Sequence, residues 1–115
     1  MTQEEIIAGN KLIAEFMGLS YCEKYRYEGW YKNHEHNHRI CDFDGLKYHT
    51  SWDWLMPVVE KIEKMNTTVV IEGIMCEIKT HSIGFDMTAS DERSKILAVY
   101  YAVIEFIKWY NDNGR

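Results

Sequence analysis

Apolar positions recur at helical spacing in three stretches of the chain and at a spacing of two in one. In the first stretch, Ile6, Leu12, Ile13, Phe16 and Met17 follow an S/T-x-x-E pair, Thr2 and Glu5, whose side chains can satisfy first-turn amides. Gly18 supplies the stop, and Ala8, Gly9 and Asn10 are small enough to let this helix lie close to a neighbour. A second helix is expected from Thr50 or Ser51, with Asp53 complementing the positive dipole end. Its stripe is Val58, Val59, Ile62 and Met65, while Glu60, Lys61, Glu63 and Lys64 face water. Pro57, the only proline, falls about two turns in and removes one backbone hydrogen bond, so the helix is expected to kink there or to be regular only beyond it. The third helix is expected to open at Ser90 as N-cap with Asp91 and Glu92 in its first turn. Ile96, Tyr100, Val103, Ile107 and Tyr110 form its stripe, Leu97, Val99, Ile104 and Phe106 widen it, and it ends near residues 111–114.

Strand signals fill the gaps. Ile74, Cys76 and Ile78 alternate with Met75, Glu77 and Lys79, and Ile83, Phe85 and Met87 alternate with Gly84, Asp86 and Thr88. That pattern predicts a hairpin turning at His81 and Ser82, with Gly73 as a bulge or bend that re-aims its first arm after Val69, Val70 and Ile71. Residues 19–48 carry Tyr21, Tyr25, Tyr27, Trp30, Tyr31 and Phe43 among polar residues, which predicts two short strands, near 27–31 and 40–43, joined by a histidine-rich turn. The element order is α-β-β-α-β-β-α. The fold expected is therefore α+β: a single sandwich-like domain, residues 1–115, in which three helices pack on an antiparallel sheet of about four strands.

Composition supports a folded chain, because 46% hydrophobic and 14% aromatic residues supply the apolar surface that disordered chains lack. A length of 115 residues suits one domain. The formal charge of −5 argues against nucleic-acid binding, which needs a basic face to displace counterions. No signal-peptide pattern opens the sequence and its apolar runs are broken by charges, so a cytoplasmic protein without membrane contact is expected. Cys22, Cys41 and Cys76 are scattered and odd in number, which fits reduced thiols.

Candidate chemistry is sparse. His34, His36 and His38 alternate, so on a strand they would share a face and could converge on a divalent transition metal, but the spacing matches no established zinc motif and a solvated turn is the stronger expectation. No nucleophile elbow or phosphate loop is present, and Asp42, Asp44, Asp91 and Glu92 are accounted for as turn and first-turn residues. A catalytic role and a cofactor are therefore not expected. Trp30, Tyr48, Trp52 and Trp54 are the candidates for an aromatic binding surface; two tryptophans separated by one helical residue cannot face the same layer, so one of Trp52 and Trp54 is expected near the surface. Trp109 and Tyr110 either end the core stripe or edge a homodimer interface.

The segment Asn10-Lys11-Leu12-Ile13-Ala14-Glu15-Phe16-Met17-Gly18, the later Ser51-Trp52-Asp53-Trp54 leading to Val58-Val59-Glu60-Lys61, and the closing Ala98-Val99-Tyr100-Tyr101-Ala102-Val103-Ile104-Glu105-Phe106 together resemble the small phage ABA-sandwich domain proteins. The resemblance implies a phage or prophage origin and an antiparallel sheet between helical layers, and it transfers no catalytic residue. Residues 33–42, with their histidines, and Pro57 depart from the family's pattern. The function expected is a small non-enzymatic accessory protein that binds a protein partner through an aromatic surface. The alternative is a protein that sequesters a small ligand such as a nucleotide, or a metal, in residues 25–48.

Overall fold

A computed structural model describes residues 1–23, 28–32, 39–81 and 84–114. In chain order the elements are α1 (Gln3–Phe16), β1 (Leu19–Cys22), β2 (Gly29–Lys32), β3 (Arg39–Cys41), α2 (Trp52–Glu63), β4 (Thr67–Glu72), β5 (Met75–Thr80), β6 (Asp86–Ser90) and α3 (Lys95–Trp109), which runs into a π-helical turn, Tyr110–Gly114. The class is α+β, as the pattern predicts. The strands, however, form two three-stranded antiparallel sheets, β1-β2-β3 and β4-β5-β6, rather than one sheet of about four. By proximity the chain divides into two compact units, Met1–Lys47 and Tyr48–Arg115.

In the first unit, the Thr2 hydroxyl accepts from the Glu5 amide at 3.1 Å, and Glu5 reaches back to the Thr2 amide, completing the capping box. After the last turn of α1 the chain reverses at Gly18, whose φ of +86° is left-handed, and its amide donates to the Glu15 carbonyl. β1 follows at once and pairs with β2, with Tyr21 opposite Trp30. The β2–β3 register shifts between Trp30 and Tyr31, so Trp30 faces Cys41 while Tyr31 faces Arg39. Asn10 is buried on α1, and its amide donates to the Leu46 carbonyl at 3.2 Å, tying the stretch after β3 back to the helix.

The second unit is a β-meander with helices on one face. Alternation sends Thr67, Cys76, Ile78, Thr80 and Ala89 inward, while Thr68, Val70, Glu77, Lys79 and Thr88 face solvent. α3 packs across β5 and β6, and α2 packs against β4 and α3, so Leu55, Ile62, Ile78, Val99, Val103 and Ile107 are fully enclosed. Trp109 packs on Phe85 and Phe106 as the end of this core.

Three sequence expectations are corrected here. Gly73 is not a bulge: with φ of +58° it belongs to the turn between β4 and β5, so the expected single arm is two strands and the chain makes a three-stranded meander. Ser90 ends β6, and the N-cap of α3 is Ser94, whose hydroxyl accepts from the Leu97 amide at 3.3 Å. Ser51 holds the N-cap position of α2 with an extended backbone, but its side chain makes no capping bond. α2 is one helix through Pro57, which sits exposed. Among the described residues no helix is long and apolar enough to cross a membrane.

Candidate functional site

The first unit holds a pocket of about 860 Å³. Its aromatic floor follows from strand pairing: opposite residues of an antiparallel pair share a face, so Tyr21 and Trp30 meet edge to face, with ring centroids 5.4 Å apart at 72°. Phe43, just past β3, meets Tyr21 at 5.4 Å and 61°. The Trp30 indole N–H donates to the Phe43 carbonyl at 3.4 Å, which holds that turn over the sheet. Trp30 is itself only 2% exposed and Phe43 is 49% exposed, so the floor is anchored by the one and offered to solvent by the other.

Charged groups form the rim. Arg39 donates to the Glu28 carbonyl from Nε at 3.0 Å and from Nη2 at 2.9 Å, and Nη2 also pairs with the Asp42 carboxylate. This fork spans the two ends of the β2–β3 hairpin and gives Arg39 a fixed place. The Tyr21 phenol donates to the Glu28 carboxylate. That bond, with desolvation and the negative charges of Glu28, Glu23 and Asp42 adding to it, pushes the Tyr21 pKa up to about 12. Among the described residues the wall contains four carboxylates, Glu23, Glu28, Asp42 and Asp44, against two cations, Lys11 and Arg39, and Arg39 is already paired. The described lining is therefore an apolar floor with an excess of negative charge.

A phenol held protonated is a hydrogen-bond donor at neutral pH, not a base. Burial also pushes the Cys41 thiol up, with Asp42 adding to it, and burial alone pushes Cys76 up to about 11, so neither is a poised thiolate.

The residues singled out in the sequence fall in different places. Trp30 lines the pocket. Tyr48, Trp52 and Trp54 belong to the second unit, where Tyr48 is buried and meets Trp54 edge to face at 5.3 Å. Trp52 begins α2 and is 38% exposed, while Trp54 is half-buried. His34, His36 and His38 lie outside the described residues, as do Tyr25 and Tyr27. Among the described residues no group of three or more His, Cys, Asp or Glu is placed to hold a metal.

Sequence reasoning missed the site roles of Tyr21, Glu28 and Arg39. Their proximity depends on β1, a four-residue strand too short for an alternation signal, and on its pairing with β2. In comparisons with protein-family models, with curated proteins and with solved structures, the chain matches none.

Proposed function

We propose that this chain is a non-catalytic binding protein that holds a positively charged segment of a protein partner in the Tyr21–Trp30–Phe43 pocket. The observation that carries the reading is an aromatic floor rimmed by Glu23, Glu28, Asp42 and Asp44. A lysine or arginine side chain matches both parts, since its hydrocarbon stem can lie on Phe43 and Tyr21 while its charge reaches the carboxylates. A nucleotide fits the described lining less well, because its phosphates would face more carboxylates than cations among the described residues. An accessory role in a phage or prophage is the part of the proposal that rests on the sequence resemblance, and its exercise in the cytoplasm rests on the sequence's lack of a signal-peptide pattern.

The test is fluorescence anisotropy with labelled tetralysine and tetraglutamate peptides. Tetralysine is expected to bind and tetraglutamate not to. Raising ionic strength by about tenfold is expected to weaken the tetralysine complex, since exposed charges are screened within about a Debye length. Glu28→Gln and Phe43→Ala should each reduce affinity, the first through charge and the second through contact area. Equal binding of both peptides, or none of tetralysine, would refute the proposal.

A further inference from the structure

We propose that β4 is a pairing edge on which a second copy of this chain adds its own β4, antiparallel, to make a six-stranded sheet across the two molecules. The sheet order β4-β5-β6 leaves β4 and β6 at its margins. The Asn66 carbonyl accepts from the His81 amide, which sets the phase of the ladder: even-numbered positions of β4 bond to β5 and odd-numbered positions turn their backbone groups outward. Val69 and Ile71 therefore present N–H and C=O groups away from β5, and among the described residues no hydrogen bond takes them up. Their side chains agree that this flank is open. Cys76 and Ile78 on the central strand are 0% exposed, whereas Val69 and Ile71, facing the same way one strand further out, are only half-buried.

β4 is the longest of the strand margins. β1 and β3 have four and three residues and β6 has five with Asp86 at its first position, while the single charge of β4, Glu72, sits at its last. β4 has six residues, Thr-Thr-Val-Val-Ile-Glu, with no proline, no lysine and no bulge in its register with β5.

A second copy fits because β4 is its own complement. An antiparallel pair with Val69 opposite Val69 uses the outward groups of 67, 69 and 71 on both strands. It sets Thr67 opposite Ile71, Thr68 opposite Val70 and Asn66 opposite Glu72. No charge then faces a like charge, and the two Glu72 carboxylates lie at opposite ends of the joint. Val70, 42% exposed, would be covered by Thr68 and by the diagonal Val70 of the other copy.

Sedimentation of the full chain across a wide concentration range tests this. The expected result is a concentration-dependent dimer, since one paired strand is a small contact beside the area that permanent dimers bury. Val69→Pro deletes the central donor at a position where the monomer makes no use of it, so it should weaken the dimer by at least about tenfold while circular dichroism and melting stay near wild type. If that variant misfolds, Val70→Lys decides, because it puts cations diagonally across the joint from the solvent face and should weaken the dimer similarly. A chain that stays monomeric at the highest concentration overturns the proposal. So does a dimer that a folded Val69→Pro, or in its place Val70→Lys, leaves unchanged. Neither result touches the peptide assay, whose residues lie in Met1–Lys47 while β4 lies in Tyr48–Arg115.

Discussion

Tyr21 and Glu28 form the contact on which the pocket's electrostatics turn. The phenol keeps its proton up to a pKa of about 12 because the Glu28 carboxylate accepts its hydrogen bond and opposes a second negative charge. An unfolded tyrosine titrates near 10. A folded-state pKa above the unfolded one means that this group's contribution to stability is fully present below about pH 10 and is lost as pH rises from there toward about 12. Glu28→Gln keeps an acceptor but removes the charge, so it should bring the Tyr21 titration down toward the ordinary range. Ultraviolet absorbance of the phenolate, followed against pH in both proteins and in Tyr21→Phe to separate Tyr21 from the seven other tyrosines, reads this. If the variant and wild type titrate alike, the Glu28 charge is not what holds the proton.

Among the elements, α3 shows how a plausible helix start was displaced. Ser90, followed by Asp91 and Glu92, has the residue types of a capped first turn, yet Ser90 pairs with Met75 on β5 and is spent on the sheet. The true start is built differently. The Asp91 carboxylate accepts from the Arg93 and Ser94 amides in a tight turn, and Ser94 then caps Leu97. Ser94→Ala should therefore cost about 1 kcal/mol of stability, within the usual range for losing a cap, and Ser90→Ala should cost clearly less. Chemical denaturation of the two variants side by side checks it, and the reverse order of costs would restore Ser90 as the cap. The same contrast explains what was legible. Helical stripes such as Val58, Val59 and Ile62, and the capping box at Thr2, are local signals and appear in the structure where their spacing puts them. The β4–β5 turn was hidden because Gly73 reads equally as bulge or turn until the register is known. The pocket was hidden for a related reason. It brings together Tyr21, Glu28 and Arg39 through strand pairings that no periodicity encodes, with Lys11 reaching it from α1, and of the four aromatic residues chosen from sequence only Trp30 lines it.

At the scale of the molecule, the apolar material is unevenly shared. The enclosed side chains of Leu55, Val58, Val59, Ile62, Cys76, Ile78, Val99, Tyr100, Val103, Phe106 and Ile107 all belong to Tyr48–Arg115, whereas Met1–Lys47 contributes Ile13, Ala14, Trp30, Tyr31 and Leu46. A helix pair packed on one face of a three-stranded meander is a complete two-layer core, and its size is close to the roughly 60 residues at which small domains begin to fold alone. Burial of each large aliphatic side chain contributes about 1.5–3 kcal/mol against the entropy of ordering the chain. Residues 48–115 expressed by themselves should give a cooperative thermal transition. Ile78→Ala, which empties a fully enclosed position on the central strand and should cost about 2–5 kcal/mol, should abolish that transition in the fragment. In the full chain the same substitution should lower the melting temperature. The fragment contains Trp52 and Trp54 but none of the pocket, so it should also fail to bind tetralysine. A folded fragment that bound the peptide as well as the full chain does would move the binding surface from the Tyr21–Trp30–Phe43 floor to the start of α2.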